Sequence, residues 1–364
     1  MGLSCGIVGL PNVGKSTLFN ALTKAGIEAS NYPFCTIDPN VGIVKVPDTR
    51  LDKIAQIVGS KQIIPTTVEF VDIAGLVKGA SQGEGLGNQF LSHIRQTDAI
   101  CHILRCFEDE NVTHVDGGVD PIRDKETIDV ELCLADFESV DKAYDKNLKL
   151  SKSGNKDILA KVEVLKKIKQ VLEAGKPARS LQLPQEELIH VEEFHLITLK
   201  PVLYVCNVSE GEIKTGNAFV TQVEKMAKEE GANTVIVSAK VESEIAELEA
   251  EEKKMFLDEL GITESGLDRV IRAGYDLLNL ITYFTAGEKE ARAWTIHKGT
   301  KAPQAAGVIH TDFEKGFIRA EVYKCQDLFE HGSESKVKEK GLLRSEGKEY
   351  IFQDGDVTHF RFNV

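Results

Sequence analysis

No stretch of this 364-residue chain approaches the ~20 consecutive apolar residues that a membrane helix needs, so no membrane partner is expected. No basic segment precedes the first apolar run. Met1 to Leu10 leads straight into a strand, and a secretory leader is not expected. Paired cysteines are missing as well. The seven cysteines (5, 35, 101, 106, 133, 206, 325) form no Cys-x-x-Cys, and most sit in apolar runs such as Ala99-Ile-Cys-His-Ile-Leu104. That is the pattern of reduced, buried thiols in a cytoplasmic protein. Positive charge is scarce: 44 Lys+Arg against 57 Asp+Glu give a net charge of −13, which argues against wholesale coating of nucleic acid. Residues 283–364 carry 13 of each sign, so the whole deficit, 31 − 44 = −13, lies in the first 282 residues. An RNA-facing surface must therefore be local.

What is present is a repeated alternation of short apolar runs with helix-length segments. Cys5 to Leu10, Val68 to Ile73, Ala99 to Phe107, Pro201 to Asn207 and Thr234 to Ser238 read as strands. They are continuous apolar runs rather than period-two patterns, which fits a mainly parallel sheet covered by helices on both faces. The alternation breaks between Phe107 and Pro201. Two charged helices are expected there, Glu126 to Leu148 and Lys156 to Leu172, joined by a turn at Ser151 to Asn155. Ile158, Val162, Leu165, Ile168 and Leu172 make one apolar stripe on the second helix. This reads as an inserted antiparallel hairpin projecting into solvent. Glu242 to Glu259 and Glu264 to Ile281 are expected to be helical. Arg292 to Ile296, Ala306 to Ile309, Phe317 to Tyr323 and His359 to Val364 are expected to be strands of a small mixed β domain. The boundaries follow: 1–125 with 200–282, 126–199, and 283–364.

Gly9-Leu-Pro-Asn-Val-Gly-Lys15-Ser16 fits G-x-x-x-x-G-K-[ST], placed between a buried strand and a helix. Glycines let backbone N–H groups approach phosphate oxygens, and the helix N-terminus faces the anion. The cradle comprises Asn12, Val13, Gly14, Lys15, Ser16 and Thr17. Lys15 reaches the β- and γ-phosphates, and Ser16 ligates Mg²⁺. Asp72-Ile-Ala-Gly75 closes a second strand. Asp72 serves the Mg²⁺ shell and the Gly75 N–H serves the γ-phosphate. Thr36, in Asn31 to Thr36, is the second hydroxyl ligand to Mg²⁺, and Cys35 beside it is a redox-sensing candidate. The glycine-rich Gly79 to Gly87 reads as a switch that orders when γ-phosphate is bound.

Guanine-specific enzymes of this type show Asn-Lys-x-Asp after the fifth strand. Here the position reads Asn207-Val208-Ser209-Glu210. The lysine is gone and the acid is one methylene longer, so discrimination for guanine falls and ATP over GTP is expected. Asn207 and Val208 are the base-contacting candidates, with Ser238 in the last base loop. Leu76 stands where many such enzymes keep a water-orienting glutamine, so intrinsic hydrolysis should be slow. His114 is the candidate water-positioning residue, and Asn12 a candidate to hold a K⁺ ion. A small-molecule kinase shares the phosphate motif, but no arginine-rich lid or acceptor motif supports it.

At these residues the chain resembles the Obg-like ATPases of the YchF family. The phosphate motif, Asn31 to Thr36, Asp72 to Ala80 and Gly83 to Phe90 all look like that family. So do Tyr283 to Gly287 and His310 to Arg319. The resemblance spans nearly the whole chain. It implies an α/β P-loop NTPase G domain, an inserted α-helical coiled-coil arm and a C-terminal β-grasp (TGS) domain. It also implies ATP preference and ribosome (50S/70S) or RNA contact through the TGS domain and arm. Lys289, Arg292, Lys298, Lys315 and Arg319 are the RNA-facing candidates. The alternative is a nucleotide-sensing binding module whose hydrolysis is incidental.

Overall fold

The first apolar run folds as expected. All five residues of β1 (Ser4–Val8) are buried, because parallel neighbours flank it and helices cover both faces. The computed structural model describes residues 4–25, 40–73, 86–110, 112 and 118–363. The chain divides into two compact units, residues 1–44 with 69–274 and residues 45–68 with 275–364.

In the first unit, β1 is followed by α1 (Lys15–Ala25), β2 (Val41–Lys45), β4 (Thr67–Asp72), α3 (Leu86–Gln96) and β5 (Ala99–Arg105). After an inserted segment come β6 (Val202–Asn207), α7 (Ala218–Glu230), β7 (Asn233–Val237), α8 (Ala239–Ile245), α9 (Ala250–Leu260) and α10 (Gly266–Leu277). The strand order is β2-β4-β1-β5-β6-β7, and β1 runs parallel to both β4 and β5. The order reverses at β1. Ligands of such sheets bind outside the carboxyl ends of the strands at this point.

The insertion begins with α4 (Pro121–Leu150), thirty residues long, with Asp120 capping the Ile122 and Arg123 amides and proline in its first turn. A turn with Gly154 at φ 75° leads to α5 (Lys156–Glu173), and a short α6 (Gln185–Leu188) lies in the return segment. Leu165, Ile168 and Leu172 of the stripe, with Val164, pack with Cys133, Val140 and Ala143 of α4, and Val162 is buried as well. Each buried side chain of this size contributes about 1.5–3 kcal/mol. The hairpin exists as expected, but its root is not solvated. Asp136 accepts from the Ile197 and Thr198 amides at 3.1 and 2.7 Å.

Lys125 pairs with Asp129 at 2.7 Å and with Glu230, Arg179 donates to Asp129 at 3.0 Å, and Tyr204 donates to Glu230 at 2.7 Å. Burial works against the Asp129 charge, yet Arg179 and Lys125 hold its carboxyl below the ordinary range. Burial, and then Lys125 and Arg179 against the opposing pull of Asp129, push His102 of β5 down to about 4.

The second unit combines α2 (Thr49–Val58) and β3 (Gln62–Ile64) with the C-terminal elements. These are β8 (Leu280–Ala286), β9 (Glu290–His297), α11 (Ala302–Ile309), α12 (Thr311–Lys315), β10 (Phe317–Lys324), α13 (Cys325–His331), α14 (Glu334–Glu339), β11 (Arg344–Glu346) and β12 (Asp356–Phe362). The strand order is β11-β10-β12-β8-β9-β3. Alternate residues serve opposite faces. Phe284, Ala293 and Tyr323 meet Leu51, Ile54 and Ala55 of α2, while Tyr283, Ile296 and Val322 meet Ala302, Ala305 and Ala306 of α11. Arg50 fixes α2 by donating to Asp48 and, at 2.5 Å, to Asp354.

Two expectations change here. Ala306 to Ile309 is not a strand but the last turn of α11, where Pro303 in the first turn and three alanines favour helix. Leu280 and Ile281 begin a strand rather than end a helix. The acidic 242–259 stretch is interrupted into α8 and α9.

Candidate functional site

The loop after β1 turns through two left-handed positions, Asn12 at φ 63° and Gly14 at φ 94°. A Cβ on Gly14 would stand 2.3 Å from the Asn207 Nδ2, so only glycine fits. The Leu18 amide then donates to the Gly14 carbonyl at 3.0 Å, which starts α1 with its N-terminus at the loop. Lys15 and Asp72 form an ion pair from the ends of α1 and β4, both partly buried. Ser16 and Thr17 are exposed at the same helix start. An aspartate and a hydroxyl at the mouth of an anion cradle form a donor set suited to Mg²⁺ shared with phosphate oxygens. Among the described residues no group of three or more His, Cys, Asp or Glu could hold a metal by itself.

The base-side candidates come together with the loop. Asn12, Gly14, Thr17, Asn207, Val208 and Ser238 line one cleft of about 790 Å³. Asn207 is 4% exposed, and its amide bridges two segments. Nδ2 donates to the Val13 carbonyl at 2.8 Å, and Oδ1 accepts from the Ala239 amide at 2.9 Å. The residue expected to read a base is thus first a clamp between β6, the phosphate loop and α8. The Val208 amide is also engaged, donating to the Val237 carbonyl at 2.8 Å. Ser238 and Val208 are each 2% exposed. Ser209 and Glu212 form a capping box beside Glu210.

One wall of the cleft escaped the sequence reading. Phe107, Glu108, Asp109 and Val112 line it, in the segment that leaves β5. Arg105, buried at the end of that strand, donates to the carbonyls of Phe107, Val112 and Asp109 at 3.1, 3.0 and 3.3 Å. The available signal was a lone arginine closing a strand that is otherwise apolar apart from His102. Thr36, Gly75 and His114, together with Cys35, Leu76 and the glycine-rich stretch as far as residue 85, lie outside the described residues.

Among the RNA-facing candidates, Lys289, Lys298, Lys315 and Arg319 are exposed. Arg292 lies 4.0 Å over the Trp294 ring, and Arg319 pairs with Glu321 at 3.1 Å. No helix of the described residues is long and apolar enough to cross a membrane.

Known proteins agree with this geometry. Residues 4–136 match a family model described as 50S ribosome-binding GTPase. Residues 280–363 match the C-terminal YchF GTPase model, described as a protein of unknown function. The chain is 60% identical to the "Ribosome-binding ATPase YchF" of Bacillus subtilis (strain 168), with both chains covered completely. It is 58% identical to the protein of the same name from Haemophilus influenzae, again with both covered completely. The solved YchF GTPase of Schizosaccharomyces pombe aligns with a TM-score of 0.88 at 41% identity, covering 99% of this chain and 98% of that one. With full-length identity of this order, the chain belongs to the YchF family.

Proposed function

We propose that this protein is a Mg²⁺-dependent nucleotide switch of the cytoplasm that hydrolyses ATP, and GTP less well, and binds the ribosome. The single observation that carries the reading is the loop at Asn12 and Gly14, locked by Asn207 into the wall of a cleft large enough for a nucleoside.

Inward-facing amides and the α1 N-terminus receive the triphosphate. Lys15 exchanges Asp72 for the β- and γ-phosphate oxygens, which frees the Asp72 carboxylate. Ser16, Thr36 and Asp72 hold Mg²⁺, which neutralises phosphate charge when bound. Asn12 would help hold K⁺ as a further positive charge, and the Gly75 amide would serve the γ-phosphate. His114 positions the attacking water. Water oxygen bonds to the γ-phosphorus, the bond to the β–γ bridging oxygen breaks, one water proton stays on the phosphate and the other passes to solvent, and ADP leaves with phosphate. Leu76 cannot orient water, so turnover without a partner is slow.

Val208 and Glu210 in place of lysine and aspartate support ATP over GTP. The names of the relatives support the ribosome as partner. The arm, 126–199, and the C-terminal β-grasp domain, 283–364, are the contacting parts, with the exposed Lys289, Lys298 and Lys315 as RNA-facing candidates. Hydrolysis of ATP and GTP measured side by side, with and without purified ribosomes, tests this. Faster ATP turnover, stimulated by ribosomes, is expected. Equal or GTP-favouring rates overturn the nucleotide assignment. Ribosome affinity indifferent to nucleotide, with no stimulation, leaves a binding module with incidental hydrolysis.

A further inference from the structure

We propose that Arg105 is a positioning residue for the nucleoside half of the ligand, an inference that rests on the nucleotide reading above. The observation is a buried guanidinium used as a bracket for a loop. Arg105 is 2% exposed, at the carboxyl end of β5. Its Nε, Nη1 and Nη2 each donate to a different carbonyl, of Phe107, Val112 and Asp109. Its carbon lies 4.7 Å from the centroid of the Phe107 ring, a cation–π contact. These same three residues line the cleft together with Glu108.

A planar fork of five N–H donors is the side chain that can hold three carbonyls and stack on a ring at once. Lysine carries the charge without the fork. Residues 106–110 lie outside helix and strand, and such a segment needs a bracket if it is to present a ring and backbone groups in one arrangement before the ligand arrives. Binding then avoids the cost of ordering the wall. The phosphate cradle does not depend on this bracket. Its amides, Lys15 and α1 are organised by β1, Gly14 and Asn207. Arg105 therefore acts on the part of the ligand that carries the base, and leaves the polyphosphate tail alone.

The test compares the parent and Arg105→Lys as full-length proteins, with Mg²⁺ present, titrated with ATP and with inorganic tripolyphosphate. The variant is expected to bind ATP about tenfold more weakly, as for loss of charged hydrogen bonds that order a site, while tripolyphosphate affinity stays within about twofold. KM for ATP rises correspondingly and kcat at saturation holds. ATP affinity equal to the parent's overturns the proposal, as does equal weakening of both ligands or a fall in kcat at unchanged KM. A parent that binds neither ligand sinks the cradle reading and this one with it. Should Arg105→Lys fail to fold, amide hydrogen exchange of residues 106–110 in the parent decides. Slowing by ATP and not by tripolyphosphate supports the bracket, and equal exchange with both refutes it.

Discussion

Asn207 donates to the Val13 carbonyl at 2.8 Å, so the strand that supplies the base motif also holds the phosphate loop in shape. The same amide accepts from Ala239 at 2.9 Å. Asn207→Ala leaves a buried carbonyl and a buried N–H without this partner, each worth about 1–3 kcal/mol. Weakened binding of both ATP and inorganic tripolyphosphate is expected, with lowered stability in urea denaturation. Loss of ATP binding alone, with tripolyphosphate unaffected, would show that Asn207 is only a base reader.

Lys15 is the charge that changes partners. Lys15→Ala removes a charged hydrogen bond to phosphate worth about 1.5–3 kcal/mol, so nucleotide affinity should fall about 10- to 150-fold. The Lys15–Asp72 pair is largely buried, with side chains 12% and 20% accessible, so removing Lys15 strips Asp72 of its cation and thermal stability without nucleotide should fall as well. Titration calorimetry and a melting curve on the same sample check both halves.

His102 gives the fold a defined acid sensitivity. Its folded value is pushed down to about 4 from 6.5, chiefly by burial, with Lys125 and Arg179 adding to it and Asp129 opposing. Between those values the unfolded chain holds the extra proton. The contribution is complete above pH 6.5 and is lost as pH falls toward 4, on the order of 3 kcal/mol. His102→Phe should flatten the stability-versus-pH curve across that window. An unchanged slope in urea melts from pH 7 to 4 would assign the sensitivity elsewhere.

Arg179 anchors the root of the helical hairpin through Asp129 at 3.0 Å. Arg179→Met strips a nearly buried carboxylate of one cation and should cost about 3–5 kcal/mol. The double change Arg179→Met with Asp129→Leu should cost less than the sum of the single changes. Additive losses in denaturant titrations would show that the two are not energetically joined.

The parts legible in sequence were those fixed by neighbours along the chain. The spacing from Gly9 to Ser16 needs only a strand, a turn and a helix, and the stripe from Val162 to Leu172 needs only helical period. Local pattern misled at Ala306 to Ile309, where a short apolar run is equally compatible with strand and helix. The 1–125 boundary puts residues 45–68 with the first sheet, whereas they group with 275–364, because Leu51 and Ile54 find their partners, Phe284, Tyr323 and Leu328, far along the chain. Arg105 was missed for a related reason: three backbone carbonyls on an irregular segment leave no residue-type signature.

The placement of β3 beside β9 bears on how the chain matures. Gln62 to Ile64 pairs with Glu290 to Arg292, so the early segment leaves the ribosome long before its strand partner is synthesised. Until then the apolar side of α2 waits uncovered during translation, and the C-terminal unit closes only when almost all of the polypeptide is made. A fragment beginning at residue 275 would lack one edge strand and one of the helices that pack on one face of its sheet, so its solubility and folding should depend on supplying residues 45–68 in trans.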